Sequence, residues 1–437
     1  MSISVIIPVG HKDDDFSLID QIKSKFKDFE IIIAASYQNS RVKEQKDNVD
    51  QLLSIHNSTR AKALNAGAQI AKHDLLWFLH LDSDISLIEE IDFSKVDDEK
   101  INTFLLKFKD DKLKYNAKGA NLRTAYLGLP FGDQSFIIHK KIFNLIGSYS
   151  ESLAKGEDHD LIWKAKKIGI KVNLIKRFIT SSPIKYETHP IIQTLNTIKD
   201  TLAQIFQFRK SRANFAVCHF IKDPQSTKSK TRLRKDLSDE LVNEINENLM
   251  EIVSNNIKEI KSNKSIHQII VTEKDSKDYA VDFSKLADGL YISTQKELGL
   301  TMREVIEFNL KYFQKVVIVG SDIPFLTAKD ITDSLKIKSA KNVFYPTLDG
   351  GFCLLATSDK NILDVIHTIK YGTDTVLADL TKKVSKLLVH NKFYQDIDVK
   401  EDLTAVYKSL KEKVYSLNVL QKKLYTLLYS KQKEFTE

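Results

Sequence analysis

The sequence predicts an α/β fold with two tandem domains, each built around a mostly parallel, Rossmann-like sheet. Short apolar runs that fit strands alternate with stretches of helical periodicity over residues 1–212, and the same alternation begins again at 213. Strands that are apolar on both faces, with helices between them, are typical of parallel sheets covered on both sides. The length of 437 residues is sufficient for two or three hydrophobic cores.

The elements of the first half follow from their residue patterns. Residues 4–10, SVIIPVG, form an apolar strand that Pro8 and Gly10 end, and residues 29–36, FEIIIAAS, form the next. The stretch 60–74 is a helix whose small residues allow close packing on a sheet, and it leads into the strand LLWFLHL. A predicted strand over 171–175 precedes mostly helical sequence that extends to about 212.

The composition is that of a globular protein. Hydrophobic residues make up 42% of the chain and charged residues 28%. No apolar run approaches the roughly 20 residues of a transmembrane helix, and the N-terminus lacks the basic start of a signal peptide. The two cysteines cannot form a disulfide framework, so a cytoplasmic location is expected. The net charge of +8 is compatible with anionic ligands, nucleic acid or an anionic membrane surface, but the lysines are scattered throughout the chain, which favours a solvated, Lys-rich surface.

The strongest functional pattern of the first half is LWFLHLDSD at residues 76–84. An apolar strand ends in Asp82-Ser83-Asp84, and open α/β sheets bind ligands at the carboxyl ends of their strands. Mg²⁺ is usually held by one or two carboxylates together with substrate phosphates. A polar turn after a core strand explains the same three residues without any ligand.

Two later segments of the first half also present acidic residues. Gly132-Asp133-Gln134 is predicted at a turn before a strand, and GEDHDLIWKAKKIGI at 156–170 opens a helix with Glu157 and Asp158. A carboxylate at a helix N-terminus that faces a metal–diphosphate site suits a general base. The helix dipole alone also favours acids in a first turn.

Residues 1–212 resemble the family 2 glycosyltransferases of the GT-A fold, and look most like the branch named "transferase 2, radical-SAM/selenodomain-associated". The resemblance depends on five motifs that occur in the family's order. These are SVIIPV with Pro8, Arg60…Leu64-Asn65-Ala66-Gly67, Leu-His-Leu-Asp-Ser-Asp at 79–84, Tyr126…Phe131-Gly132-Asp133-Gln134 and Gly156-Glu157-Asp158.

The resemblance implies roles for these residues. Asp82 would contact the donor ribose or a metal, and Asp84 would ligate Mg²⁺ or Mn²⁺ bridging the donor diphosphate. Asp158 would take the proton of the acceptor hydroxyl, with inversion at the anomeric carbon. The remaining matches would act around these groups: Glu157 and Asp133 in catalysis, Gln134 on the acceptor side, and Pro8, Arg60 and Asn65 on the donor side. Ala34-Ala35-Ser36-Tyr37 replaces the family's base-reading Asp, so the nucleobase stays open.

The second half restarts with a strand over 214–222 that leads into a basic segment at 223–235. Phosphate binding, a nucleic-acid patch and a solvated loop each explain this segment. The strand KVVIVGSDIPFL at 315–326 ends in Gly320-Ser321-Asp322, which repeats the carboxylate at a strand end. Asp349-Gly350-Gly351 allows close backbone approach, or forms a simple hairpin turn. Further elements are helices over 236–262 and 300–313 and strands over 267–274 and 287–293.

This half resembles a GT-A-like family named "transferase 1, radical-SAM/selenodomain-associated". It is distantly similar to nucleotidyltransferases that attach a nucleotide to a molybdenum cofactor or to phospholactate. The resemblance implies that Lys230 and Arg232 hold phosphates, that Asp322 and Asp398 bind metal, and that Asp349 and Gly350 adjoin the nucleotide. The matching stretches are Lys222-x-Pro224, Lys230-Thr231-Arg232-Leu233, Leu298-Gly299…Met302, Gly320-Ser321-Asp322-Ile323-Pro324, Asp349-Gly350-Gly351-Phe352, Thr373-Asp374-Thr375-Val376-Leu377 and Asp396-x-Asp398…Glu401-Asp402-Leu403.

The sequence therefore predicts a bifunctional, metal-dependent enzyme that uses nucleotide-sugar donors and an unknown hydroxyl acceptor. Residues 1–212 would be the glycosyltransferase, and residues 213–437 a related glycosyl- or nucleotidyltransferase with a C-terminal helix. The basic segment has no interleaved aromatic residues, so nucleic acid is not expected as a partner. The leucine face of 414–435 docks on the second domain, dimerises the chain or contacts a membrane surface. A non-catalytic nucleotide-sugar-binding regulatory protein is the alternative.

Overall fold

The chain divides into two compact units, Met1–Arg212 and Ala213–Glu437. The structure is a computed structural model, and it describes residues 2–88, 92–153, 155–182, 199, 201–203, 205–206, 212–227, 229–260, 265–273 and 286–436. The helical sequence predicted after residue 175 and up to about 212 lies largely outside the described residues, as does Lys228 of the basic segment.

The first unit is a seven-stranded sheet with helices packed against it. The described elements, in chain order, are β1 (Ile3–Val9), α1 (Ser17–Lys25), β2 (Glu30–Ser36), β3 (Gln51–Ile55), α2 (Arg60–Ile70), β4 (Leu75–Phe78), β5 (Ile101–Phe108), α3 (Lys114–Leu122), β6 (Phe136–His139), α4 (Lys140–Ile146), α5 (Glu157–Lys167) and β7 (Val172–Ser181).

The second unit is also a seven-stranded sheet with helices. Its described elements are β8 (Phe215–Phe220), α6 (Asp239–Ile260), β9 (Ile266–Glu273), β10 (Gly289–Ser293), α7 (Leu298–Asn309), β11 (Lys315–Val319), α8 (Ala328–Lys336), β12 (Asn342–Pro346), β13 (Phe352–Thr357), α9 (Val376–Lys383), β14 (Leu387–Val389), α10 (Lys400–Glu412), α11 (Val419–Ser430) and α12 (Lys433–Thr436).

The two sheets have the same topology. The strand order is β3-β2-β1-β4-β6-β5-β7 in the first unit and β10-β9-β8-β11-β13-β12-β14 in the second. β6 runs antiparallel to β4 and β5, and β13 runs antiparallel to β11 and β12, whereas the other pairs are parallel. The predicted α/β class with mostly parallel sheets is confirmed.

This topology determines where the candidate residues meet. An antiparallel strand begins at the edge where its parallel neighbours end, so the turn before β6 lies beside the end of β4. The same argument brings the turn before β13 to the end of β11. Each sheet therefore has one edge at which strand ends and a turn converge, as expected for ligand binding in open α/β sheets.

Helix and sheet approach closely in the first unit because α2 contains glycine at the contact. A Cβ added to Gly67 would lie 2.5 Å from Cγ2 of Ile6 in β1, closer than side chains pack. The core of this sheet is formed by fully buried β1, β2 and β4 residues such as Ile7, Ile33 and Trp77. The sheet edge is thus held on a tightly packed support.

The last segment docks on the second unit, as one of the three alternatives predicted. Leu424 and Leu428 of α11 are completely buried in a cluster with residues of α6 and α10. The segment is two helices instead of one, because α11 ends at Ser430 and α12 begins at Lys433. Among the described helices, none combines the length and the apolar character needed to cross a membrane.

Candidate functional sites

The first candidate site lies at the edge of the first sheet where β4 ends. Asp82 is exposed there, and Asp84 is half-buried. The Asp84 N–H donates to the Thr180 carbonyl at 2.7 Å, and its carbonyl accepts from the Thr180 N–H at 2.9 Å. Oδ1 of Asp84 accepts from the Ser86 N–H at 2.8 Å. The backbone at Asp84 is therefore held by β7, and its other carboxylate oxygen has no hydrogen bond with a described residue.

The turn before β6 and the start of α5 meet next to this edge. The Gly132 N–H donates to Oδ2 of Asp158 at 2.7 Å, and the His159 N–H donates to Oδ1 at 2.9 Å. Oδ1 of Asp133 lies 3.6 Å from Nδ1 of His80, the residue that precedes Asp82 by two positions. A Cβ on Gly132 would lie 3.0 Å from both Asp158 Oδ2 and His80 Cε1. Three motifs distant in sequence thus contact one another.

The segment that leads into α5 is held by contacts of Glu157, Arg60 and Asn65. Glu157 is buried, and its Oε1 lies 3.2 Å from Nη1 of Arg60. The Asn65 amide donates to the Tyr149 carbonyl at 2.9 Å and accepts from the Tyr149 N–H at 3.0 Å. Burial raises the pKa of the Tyr149 phenol well above its usual value, and the nearby charges of Asp158 and Glu157 act in the same direction. These side chains therefore fix the loop before α5.

Gln134 has an internal position. It is completely buried, its Oε1 accepts from Thr124 Oγ1 at 2.8 Å, and its Nε2 donates to the Phe104 carbonyl at 3.0 Å. Gln134 shapes the turn before β6 and has no exposed surface for an acceptor. Pro8, by contrast, is the second-last residue of β1, at the same edge of the sheet as Asp82.

An aromatic pair at this edge was not identified from the sequence. Tyr37, directly after β2, stacks on His56, directly after β3, with ring centroids 4.1 Å apart. Tyr37 is 62% exposed, which is high for a stacked aromatic residue. It follows β2 at the place where the resembled family has its base-reading Asp. The available sequence signal was an aromatic residue directly after a predicted strand.

The second candidate site is centred on Lys230. Its Nζ donates to Oδ2 of Asp322 and to Oδ1 of Asp398, each at 2.9 Å. It also donates to the Ile397 carbonyl. Burial by itself would lower the pKa of this ammonium, but Asp322 and Asp398 outweigh it and the pKa is raised. Lys230 is therefore a charged, desolvated cation between two carboxylates.

Asp396 lies beside this group and was given no role from the sequence. Burial raises the pKa of its carboxyl to about 7, and the charges of Asp349, Asp322 and Asp398 act in the same direction. The Asp398 N–H donates to Oδ2 of Asp402 at 2.9 Å, which orients the segment before α10. Asp322 and Asp398 therefore contact the Lys230 ammonium directly, and Asp396 and Asp349 lie near enough to these two for their charges to interact.

Replacing Asp396 by asparagine is expected to stabilise the second unit above pH 7. An acid whose pKa is raised by folding loses its proton first in the unfolded chain, so its destabilising effect grows between about pH 4 and pH 7. The free energy of unfolding is expected to rise on the order of 2–4 kcal/mol at pH 8 and to change by about zero at pH 4. Urea unfolding at both pH values measures it. Asp364→Asn, at an exposed position of the same unit, is the control, and no gain in stability for Asp396→Asn at pH 8 would contradict the expectation.

Asp349 and Gly350 form the turn between β12 and β13. Oδ1 of Asp349 accepts from Thr347 Oγ1 at 2.5 Å and from the Gly351 N–H at 3.0 Å. Gly350 has φ +86°, and its carbonyl accepts from the Leu377 N–H at 3.0 Å. The hairpin alternative thus describes the backbone, and the same turn lies near enough to Asp396 for the Asp349 charge to raise its pKa.

The basic segment has two arginines with different environments. Arg232 is exposed, whereas the side chain of Arg234 is only 8% exposed. Arg234 donates to the Ser229 carbonyl at 2.8 Å, to Asn243 at 2.6 Å and to Asp239 at 2.7 Å. Arg234 therefore holds the loop that carries Lys230, and Arg232 is available to an anion.

The two carboxylate pairs differ in their fit to a divalent cation. Within the described residues, no group of three or more His, Cys, Asp and Glu is arranged to hold a metal ion. Asp82 and Asp84 form no ion pair with a described residue, and two carboxylates plus substrate phosphates suit Mg²⁺. Asp322 and Asp398 do not fit in this arrangement, because Lys230 Nζ lies 2.9 Å from an oxygen of each.

Comparison with known proteins gives one family match. A family model described as an uncharacterized protein conserved in bacteria (DUF2064) matches residues 256–373, within the second unit. No curated protein matches the chain.

Several solved structures are similar to parts of the chain. A proposed nucleotide-diphospho-sugar transferase from Desulfovibrio desulfuricans G20 is 18% identical, with 51% of this chain and 97% of that chain covered and a TM-score of 0.44. A mannosyltransferase from Pyrobaculum calidifontis, in complex with GDP-Man and Mn²⁺, is 14% identical, with coverages of 41% and 56% and a TM-score of 0.31. TarS from S. aureus is 14% identical, with coverages of 61% and 88% and a TM-score of 0.34.

Proposed function

We propose that the first unit is a metal-dependent glycosyltransferase that moves a sugar from a nucleotide-sugar donor to an acceptor hydroxyl, with inversion. The observation that supports it most directly is the contact of Gly132 with Asp158, next to the pair of His80 and Asp133. These contacts join His80, two residues before Asp82, to the turn before β6, and that turn to the acidic start of α5. The motifs in which the chain resembles the family 2 glycosyltransferases include each of these segments.

The residues of this edge divide the proposed reaction between them. Mg²⁺ or Mn²⁺ held by Asp84, with Asp82 on the metal or the ribose, would neutralise the diphosphate leaving group. Asp158 takes the acceptor proton on its carboxylate, which the Gly132 and His159 N–H groups hold in one orientation. His80 orients Asp133 on the acceptor side. Attack by the deprotonated hydroxyl opposite the leaving group inverts the anomeric carbon.

The first test is release of nucleoside diphosphate from a panel of UDP-, GDP-, ADP-, CDP- and dTDP-sugars, with Mg²⁺, Mn²⁺ or EDTA. Release is expected with one donor and with metal, and Asp84→Ala is expected to reduce it to background because the leaving group loses its counterion. Asp92→Ala is the control: among the described residues the Asp92 carboxylate contacts Lys95 and Ser94 of its own turn, so we expect this variant to release as much nucleoside diphosphate as the wild type. Full release by Asp84→Ala would refute the metal role.

For the second unit we propose a related glycosyl- or nucleotidyltransferase whose substrate phosphates bind the exposed Arg232. The support is the carboxylate group around Lys230 and the loop that Arg234 holds. Arg232→Ala is expected to raise the KM for a nucleoside triphosphate or nucleotide-sugar by roughly 10–100-fold, because a charge-assisted hydrogen bond to a substrate phosphate is lost. Pyrophosphate or diphosphate release measures it. Lys235→Ala, exposed in the same segment, is the control.

The alternative of a non-catalytic nucleotide-sugar-binding protein makes a different prediction. Calorimetry would then detect a bound nucleotide-sugar while no diphosphate or pyrophosphate is released with any acceptor. The exposed Tyr37 on His56 is the feature that would serve binding without catalysis. Release that requires Asp158 would reject this alternative.

A further inference from the structure

We infer that the second unit carries its own cation: the ammonium of Lys230 occupies the place between Asp322 and Asp398 where a divalent metal was expected. The unit therefore binds neither Mg²⁺ nor Mn²⁺ through these two carboxylates. The inference deepens the proposed function of the second unit, because it states which cation neutralises the carboxylates of the proposed site. It rests on that function only in calling the place a transferase site.

The three donor protons of an ammonium are all used here. A lysine Nζ has three N–H groups and accepts nothing. Its acceptors are Oδ2 of Asp322, Oδ1 of Asp398 and the carbonyl of Ile397. A metal ion in the same place would need carboxylate oxygens at about 2.0–2.1 Å for Mg²⁺, which leaves no room for the ammonium.

The position of Lys230 is built by its surroundings. The φ of Lys230 is +50°, a left-handed backbone conformation that residues other than glycine rarely adopt. Such a backbone persists where neighbouring contacts determine it. Arg234 makes these contacts, because its guanidinium donates hydrogen bonds to the carbonyls of Ser226 and Ser229 in the turn directly before Lys230. The side chain is only 13% exposed, so water does not replace the carboxylates.

The charges around Lys230 explain why a cation is needed. Burial raises the pKa of the Asp396 carboxyl, and the negative charges of Asp349, Asp322 and Asp398 raise it further. One ammonium offsets part of this negative charge permanently, without depending on the metal concentration. The equivalent edge of the first unit differs, since Asp82 and Asp84 pair with no described lysine. The same topology thus has an internal cation in the second unit and open carboxylates in the first.

The experiment measures Mn²⁺ binding to the full chain by electron paramagnetic resonance of free Mn²⁺, without nucleotide and without an activity readout. All variants carry Asp84→Ala, which removes the carboxylate proposed for the first unit. This background is expected to bind no Mn²⁺. Adding Lys230→Met, which keeps a similar length and removes the charge, is expected to create one Mn²⁺ site per chain. Adding Lys164→Met instead, which removes a lysine paired with Asp160, is expected to create none.

Two results would overturn the inference. The first is Mn²⁺ binding by the Asp84→Ala background that disappears when Asp322→Asn is added. The second is a folded Lys230→Met variant, verified by circular dichroism, that gains no Mn²⁺ site. If Lys230→Met does not fold, the comparison of the background with its Asp322→Asn variant still decides. Because no arm measures catalysis, failure of the proposed transferase activity is detected separately.

Discussion

Replacing Asp158 by asparagine is expected to lower the rate of sugar transfer by about 10²–10⁴-fold, the contribution typical of a positioned base. Asparagine has nearly the same shape, and its carbonyl oxygen can still accept from the Gly132 N–H that now lies 2.7 Å from Oδ2, although its NH2 group cannot accept from the His159 N–H as Oδ1 does. It cannot take the acceptor proton. The kcat should therefore fall while the KM for the donor stays within a few-fold of the wild type.

Asp160→Asn is the matched control for this prediction. Asp160 lies one residue beyond His159 in the same first turn of α5, and it bonds Lys164 and Ser150 instead of the turn before β6. Its variant tests whether any charge loss at this helix start impairs transfer. Equal losses in the two variants, or a normal kcat for Asp158→Asn, would contradict the role of Asp158 as the base.

Replacing Gly350 by alanine is expected to destabilise the second unit by roughly 2–5 kcal/mol, from backbone strain and steric overlap together. Gly350 has φ +86°, and a Cβ there would lie 2.0 Å from the carbonyl oxygen of Asp374. The turn would have to move away from the segment before α9. Urea unfolding measures the loss, and the expected sign is a lower midpoint for the transition of the second unit.

Gly372→Ala separates the two causes of this loss. Gly372 has φ +81°, and a Cβ at this position meets nothing within 4 Å. Its variant should show the strain alone, about 1–2 kcal/mol. The difference between the two variants is the cost of the contact with Asp374. Equal destabilisation of both would mean that the turn before β13 moves without cost.

The sequence determined the fold class and the edges of the sheets because both depend on local patterns. Short apolar runs such as LLWF at 75–78 predict buried strands, and the chain after such a strand leaves the sheet at its carboxyl edge. Asp84 and Asp322 could therefore be placed from sequence. β14 could not be identified, because its three residues are half-buried and lack a strong pattern.

Only the tertiary structure decided what each carboxylate contacts. Lys230 is 92 residues from Asp322 and 168 residues from Asp398, and no periodicity relates such positions. The Asn65 amide, for example, hydrogen-bonds the backbone of Tyr149, which is 84 residues away in the chain. Residue type and strand position define which groups are at an edge. The distances between these groups depend on how segments that are distant in sequence pack together. That packing decides whether a lysine or a metal neutralises two aspartates, and so defines the electrostatics of each site.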